Sequence, residues 1–457
     1  MLMRKYILSF AILCSLGTSS FAQSVTPETQ MLINRNSEFR KDIIKLADNV
    51  YTAVGYDASN VTMIIGTDGI VLIDAGKIPE LTKDIYTEFR KITDKPVTGI
   101  IFTHGHGDHT RGVTSFLGNG PKPRIWAADG FYMENSFPAA AGFKNNRSYR
   151  QQGMRLRPEQ RINNGVAPVV YPGGKYKKNF TDEEVAVYTP FDKSIVTDYV
   201  KEPKRTITVS GITLELTRTY GETSDHLVVW YPDKRIVFPG DQYYKSFPNL
   251  YAIRGTAYRD VNRWIDALDT IMSYDADIMA QGHTRPIIGK EKVRKALTNY
   301  REAISFVFNK TIEGMNKGMT PDELVEYVKL PEHLKSDPDL VEYYGRVEWA
   351  VRNIHNGYLG WFDGNPTSLS PLSPKEEAER FVKIAGGIEK VEAAAKTAIK
   401  EGDYQWAAEL SDRLLAIAPD NKEYRLIKAD ALTALGERTV TATGRNYYYT
   451  VADELRE

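Results

Sequence analysis

The sequence predicts an α+β domain followed by an all-α domain, and three observations carry that expectation. Between Val61 and Ala280, short runs rich in Val, Ile, Leu and Thr recur, bounded by Gly, Pro and Asp as strands are. Hairpin signals among them favour an antiparallel or mixed sheet over a purely parallel one. After about residue 290 the strand-like runs cease, and apolar residues recur with helical spacing. Of 457 residues, 42% are hydrophobic and 26% charged, which suits two or three domains with a sizeable core. Lys plus Arg and Asp plus Glu both number 59, so the net field gives no reason to expect nucleic acid or an anionic membrane as partner.

The N-terminal stretch MLMRKYILSFAILCSLGTSSFAQ has Arg4 and Lys5, an apolar run from Tyr6 to Leu16, and small residues up to Ala22. That order predicts a signal peptide over residues 1–22 and a periplasmic or secreted mature chain. The apolar run is shorter than the roughly 20 residues that span a bilayer, so no stable membrane anchor is expected after cleavage. Cys14 is the only cysteine, leaving the mature chain with no disulfide and no thiolate ligand.

Farther on, VTMIIGTDGIVLID (Val61 to Asp74) reads as two strands joined at Asp68-Gly69. Strand-like runs follow at Gly99 to Thr103, Arg124 to Ala127, Thr206 to Thr219 with a break at Ser210-Gly211, Leu227 to Tyr231, Arg235 to Phe238 and Asp277 to Ala280. Helical patterns cover Val261 to Tyr274 and Lys290 to Asn309, then Lys375 to Gly386, Ile388 to Gly402, Tyr404 to Ile417 and Glu423 to Leu435. The last two meet at IAPDNKE like a tetratricopeptide hairpin, but no 34-residue period repeats, so a packing or dimerisation domain is expected rather than a peptide-binding array. DGNPTSLSPLSP, Asp363 to Pro374, is the best internal linker.

The chain has seven histidines, and three of them fall in FTHGHGDHTRG, Phe102 to Gly112. His104, His106, Asp108 and His109 follow a strand and are spaced by Gly105 and Gly107. On a helix, residues two apart point to opposite sides, so this spacing suits a tight loop in which small residues let the ligands converge. Imidazole with carboxylate suits zinc, iron or manganese rather than calcium. TYGETSDH (Glu222, His226), VFPGDQ (Asp241) and MAQGHT (His283) each place a metal-competent side chain beside a glycine and next to a strand. Together they supply enough groups for two ions, with Asp241 the natural bridge.

These residues resemble the metallo-β-lactamase superfamily in order and spacing: a hairpin ending in Asp74, the His-x-His-x-Asp-His loop, Gly240-Asp241 and Gly282-His283. The resemblance implies an αββα sandwich with a binuclear site at one edge. His104 and His106 would serve one ion, Asp108, His109 and His283 the other, and Asp241 both, with Asp74 in a supporting role. A more specific likeness is to the zinc-dependent alkyl sulfatases, in which a glutamate replaces the usual third histidine of the first ion. Glu222 fits that place better than His226, which abuts the strand.

NLYAIRGTAYRD (Asn249 to Asp260) resembles the family segment whose arginine faces the sulfate, which maps onto Arg254; Arg259 is expected to be structural. A guanidinium there can bind two oxyanion atoms at once. MTPDELVEYVKLPEHL, EYYGRVEWAVRNIHNGYLGWFDGNPTSLSPLSP and GDYQWAAELSDRLLAIAPDNKEYRLIKADALTALG resemble the helical dimerisation region of alkyl sulfatases. The likeness therefore implies residues 23–305 as a catalytic domain, residues 306–457 as a dimerisation domain, and a homodimer. Family members usually continue into a sterol-carrier-like domain, which is expected to be lacking here.

The chain departs from the family in having Asp241 where a glutamate is usual, GETSDH for TEAPAE, and, in the stretch just before Trp349, no counterpart of a histidine that the family often presents near the sulfate. Arg147, Arg150, Arg155, Arg157 and Arg161 form either a basic pocket wall or a solvated loop.

The expected activity is hydrolysis of alkyl sulfate esters to alcohol and inorganic sulfate by two zinc ions, for which other divalent transition metals could substitute, through a metal-bridging hydroxide. Asp108 and Arg254 are the expected catalytic groups. Rival readings are a hydrolase of the same fold acting on a phosphoester, lactone or β-lactam, and a non-catalytic periplasmic binding or assembly module.

Overall fold

The computed structural model describes residues 25–118, 120–132, 146–177 and 192–457; the expected signal peptide lies outside the described residues. Two mixed sheets form the centre. The first runs in chain order: β1 (Asp42–Ala47), β2 (Val50–Val54), β3 (Val61–Ile65), β4 (Ile70–Ile73), β5 (Val97–Ile101), β6 (Arg124–Ala128) and β7 (Asp198–Val200). Pairing is antiparallel up to β4 and parallel from β4 to β7. The second contains β8 (Lys204–Val209), β9 (Ile212–Thr219), β10 (His226–Tyr231), β11 (Ile236–Phe238), β12 (Ile278–Met279) and β13 (Ile287–Ile288), ordered β13-β12-β11-β10-β9-β8. Its one parallel pair is β11 with β12.

The layering follows from side-chain alternation along each strand. Val71 and Ile73 of β4 meet Leu214 and Leu216 of β9 and Leu227 and Val229 of β10 in a core between the sheets. Ile70 and Leu72 turn the other way, onto Ile85 and Phe89 of helix Pro79–Arg90. On the far side, Val228 and Trp230 pack against Trp264 and Leu268 of helix Val261–Ser273 and against Leu297 and Ile304 of helix Lys290–Asn316. Helix, sheet, sheet and helix are therefore stacked in that order, the αββα sandwich expected from the resemblance.

The expected strands and helix Val261–Ser273 appear within a few residues of their predicted bounds, whereas helix Lys290–Asn316 runs on past its expected end at Asn309. β1, β2, β7 and β13 were not foreseen; Asp42–Ala47, for one, contains Asp42 and Lys45 and has no continuous apolar run. After residue 290 no strand occurs among the described residues. Residue 305 lies inside the 27-residue helix Lys290–Asn316, which packs on the second sheet with one face and on helix Val347–Leu359 with another.

Beyond the linker, five helices follow: Pro374–Ile384, Ile388–Glu401, Tyr404–Ile417, Lys422–Glu437 and Ala442–Arg456. Ser373 caps the first with a reciprocal Glu376 bond, as Thr320 and Glu323 do for helix Pro321–Tyr327. Ala398, Ala407, Ala408, Ala429 and Ala452 are buried where the helices meet, and their small size lets the backbones approach. The last helix returns to the segment around Arg150, where Glu454 pairs with Arg150 at 2.6 Å, and at its start Ala442 N–H donates to Tyr343 O at 2.8 Å. This docking brings Tyr344 and Thr443 to the mouth of the site. Among the described residues, no helix is long and apolar enough to cross a membrane.

Leu216 is fully buried between the sheets. Leu216→Ala is expected to lower unfolding free energy by about 2–5 kcal/mol in denaturant titration, whereas a change below about 1 kcal/mol would contradict the inter-sheet core.

Candidate metal centre

All seven predicted ligands converge at one edge of the sandwich, on loops that leave the ends of β5, β9, β11 and β12. After β5, His106 starts a single helical turn, Gly107–Thr110, which turns Asp108 and His109 towards the same point. Donor atoms of His104, His106, Glu222 and Asp241 lie within 4.8 Å of one another, and so do those of Asp108, His109 and His283. Asp241 stands between the groups. Its Oδ2 is 3.1 Å from His283 Nε2 and 4.0 Å from His104 Nε2, while Oδ1 is 3.4 Å from His109 Nε2.

Two glycines make this convergence feasible. A Cβ on Gly282 would sit 2.5 Å from Asp241 Oδ1 and 2.6 Å from a His109 ring carbon. Gly240 has φ +55°, and a Cβ there would come 2.6 Å from the His226 ring. Gly240 and Gly282, noticed beside Asp241 and His283 in the sequence, are thus spacers at which a hydrogen side chain is required.

Each ligand is oriented from behind. Asp74, held at φ 59°, accepts from Thr103 N–H (2.8 Å) and Oγ1 (2.9 Å), and its Oδ2 lies 2.8 Å from His109 Nδ1. This bond turns His109 Nε2 into the site. His283 Nδ1 donates to Ala58 O at 2.9 Å and His104 Nδ1 lies 3.0 Å from Thr103 Oγ1, so both present Nε2 as well. Outer partners of this kind fix the tautomer of a ligating imidazole.

Glu222 Oε2 lies 3.0 Å from His106 Nδ1 and 3.6 Å from His104 Nε2. His226, by contrast, stacks on His104 at 4.8 Å between ring centroids, and its Nε2 accepts from Asp241 N–H at 3.2 Å. The geometry therefore places Glu222 in the ligand group and His226 behind it.

Arg259 has a larger part than its structural expectation implied. Fully enclosed, it donates Nη2 to Glu222 Oε1 at 2.5 Å and Nη1 to Asn249 O at 2.6 Å. One oxygen of Glu222 is thereby fixed and the other turned inwards. No local pattern in the sequence links positions 222 and 259; only the tertiary fold does.

The donor set fits divalent ions. His109 Nε2, Glu222 Oε2 and Asp241 Oδ1 are buried and have no partner of hydrogen-bond geometry, an arrangement that is costly unless a cation occupies the space between them. Burial would raise the Asp108 carboxyl, but His109 and His283 hold it down to about 2. Burial likewise opposes the charge on Glu222, which Arg259 and His106 nevertheless keep below the usual carboxylate range. Burial pushes His104 well down, so it is a neutral ligand. His109 differs: burial lowers it, but Asp241 and Asp74 raise it well above the ordinary value, so an ion binding there displaces a proton.

Arg254 lines the pocket above these groups, with its Nη1 3.2 Å from Gly255 O. Of the arginines read as either a basic pocket wall or a solvated loop, Arg161 lines the pocket, while Arg150 and Arg155 face Glu454 and Arg157 faces Glu159. Lys77, Tyr132 and Tyr344 line it too and were not anticipated; Tyr344 comes from the helical region. Tyr358 (51% exposed) and Trp361 (73%) are surface residues outside the pocket lining.

A four-layer sandwich with two ligand groups at the strand ends defines a metallo-β-lactamase-fold, metal-dependent hydrolase, and the profile described as "Metallo-beta-lactamase superfamily" matches residues 54–283. The profile "Alkyl sulfatase dimerisation" matches residues 320–457. A linear primary-alkylsulfatase of Pseudomonas sp. (strain ATCC 19151) is 35% identical over 86% of this chain and 73% of its own length. An (R)-specific secondary-alkylsulfatase of Pseudomonas sp. is 31% identical over 91% of this chain and 62% of its own. The solved structure of the stereoselective inverting sec-alkylsulfatase Pisa1 from Pseudomonas sp. superposes with a TM-score of 0.83 at 28% identity, covering 95% of this chain and 68% of that one. The chain belongs to the alkylsulfatase family of the metallo-β-lactamase superfamily.

Replacing Arg259 by Met frees the outer oxygen of Glu222. The expected result in a competitive zinc titration is binding weaker by about 10–100-fold, and unchanged affinity would show that Glu222 is held by other means.

Proposed function

We propose that the protein is an exported binuclear zinc hydrolase that cleaves alkyl sulfate esters to the alcohol and inorganic sulfate and acts as a homodimer. The observation that carries this reading is Asp241 lying between two groups of inward-facing ligands, at the foot of a pocket that Arg254 also lines. Names of the relatives support the substrate class, and the matching dimerisation profile supports the assembly. Export rests on the character of residues 1–22.

His104, His106 and Glu222 would hold one ion, Asp108, His109 and His283 the other, and Asp241 both. When bound, such ions supply Lewis acidity and lower the pKa of a water towards neutrality. The chain's own groups then have defined tasks. Arg254 binds the sulfate oxyanions through its planar fork and offsets the charge that grows as the ester bond breaks. Tyr344 is a second donor at the pocket wall: burial raises its phenol above the ordinary value, so it keeps its proton. Asp108, held ionised, acts as a ligand rather than as a proton donor. Arg259, Asp74 and Thr103 keep the ligands aimed, so that little reorganisation is left for the reaction itself.

Purified protein is expected to contain about two zinc per chain by elemental analysis and to release sulfate from alkyl sulfates until a chelator strips the metal. Metal without sulfate release would discard the substrate while leaving the site. Arg254→Ala is expected to lower kcat/KM for alkyl sulfates by about 100-fold or more, with zinc content unchanged; a loss below about threefold would remove Arg254 from the anion site.

A further inference from the structure

We infer that the four residues Asp57 to Asn60, which join β2 to β3, form a positioning clamp for the second ion: they aim Asp108 and His283 and so set the affinity of that site separately from the first. This inference rests on the two-ion reading above.

The segment is a connection between strands, yet all four of its residues are buried, whereas connections ordinarily run over the surface. Three of the four are polar, and burying such groups is costly unless each finds a partner. The partners lie on the loops that carry ligands of the second group. Ala58 O accepts from His283 Nδ1 at 2.9 Å. Ser59 Oγ donates to Asp108 O at 2.5 Å, in the helical turn Gly107–Thr110. Asn60 N–H donates to Gly282 O at 2.7 Å, and its amide nitrogen donates to Gln281 O at 2.9 Å and Thr284 O at 2.7 Å. One asparagine therefore ties down carbonyls on both sides of His283, a task for which its NH2 supplies the two donors needed.

What the clamp holds is not a relaxed turn. Thr284, next to His283, has φ 64°, a left-handed backbone that a β-branched residue rarely adopts. Such a conformation persists where the surroundings over-determine it, and the bond from Asn60 to Thr284 O supplies part of that constraint. Released from it, the loop relaxes and carries His283 Nε2 away from its place 3.5 Å from Asp108 Oδ2 and 3.1 Å from Asp241 Oδ2.

Asp57 fastens the clamp itself. Its Oδ1 accepts from Ala58 N–H at 2.7 Å, and its Oδ2 accepts from the N–H groups of Lys77 (2.6 Å) and Ile78 (2.8 Å), where helix Pro79–Arg90 begins. The first ligand group is held from elsewhere, His104 by Thr103 and Glu222 by Arg259. Separate supports allow one site to be loosened without the other.

The test measures zinc per chain by elemental analysis after equilibration at graded free zinc, and locates the ions by anomalous diffraction from crystals of partly loaded protein. Asn60→Asp is nearly isosteric but exchanges the two NH2 donors for acceptors. Ser59→Ala removes a single bond and keeps the comparison if Asn60→Asp fails to fold. The second zinc is expected to bind about 10–100-fold more weakly in Asn60→Asp and at least about threefold more weakly in Ser59→Ala, with the first changed by less than about twofold. The ion retained at low zinc then lies among His104, His106 and Glu222. A general loss of structure weakens both sites together, so the split separates positioning from folding. Equal weakening of both ions, weakening of neither, or an ion retained among Asp108, His109 and His283 instead would overturn the clamp while leaving the two-ion site. Unsubstituted protein that takes up only one zinc at saturation would overturn the two-ion reading and this inference with it.

Discussion

The position of Asp241 is the constraint on which the rest of the site depends. One carboxylate, grouped with His104, His106 and Glu222, lies within 4.0 Å of His104, His109 and His283, and so it touches the second ligand group as well as its own. Packing three acids and four imidazoles into one buried pocket is unfavourable unless cations neutralise them. The surrounding structure reads as the means of holding that arrangement: glycines at 240 and 282 admit the close approach, and Asp74, Thr103, Ala58 and Arg259 each grip one ligand from outside.

The sandwich supplies rigidity for this. Ligands emerge from strand ends whose opposite faces are packed on both sides, so a shift of one loop would have to move a core strand. Two sheets contribute ligands, the first through the loop after β5 and the second through the loops after β9, β11 and β12. The site therefore forms only when the inter-sheet core has closed. The helical region adds to this by docking Ala442–Arg456 on the segment around Arg150, which carries Thr443 to the pocket, where Tyr344, held by Ser246, also lines the wall.

The ligands themselves were legible because glycine spacing and residue type are local features. His104 to His109 sit within one loop, and Asp241 and His283 each follow a glycine at a strand end. Choosing Glu222 over His226 needed the family likeness, and the structure supports it through the stacking of His226 behind His104. Arg259 was expected only to be structural, because its bond to Glu222 spans positions that no period or spacing connects. β1 was missed because an edge strand with charged residues lacks the apolar run that marks a buried one. Of five arginines in one basic stretch, only Arg161 reached the pocket, which charge counting could not tell from the four that face acids or lie elsewhere.

In the proposed hydrolase Asp241 would lie between two ions. Diffraction from crystals of the zinc-loaded protein, collected on either side of the zinc absorption edge, tests it most directly. The account predicts two anomalous peaks about 3.5–4 Å apart, with one Asp241 oxygen towards each. A single peak, or two peaks of which only one is within bonding distance of Asp241, would contradict it.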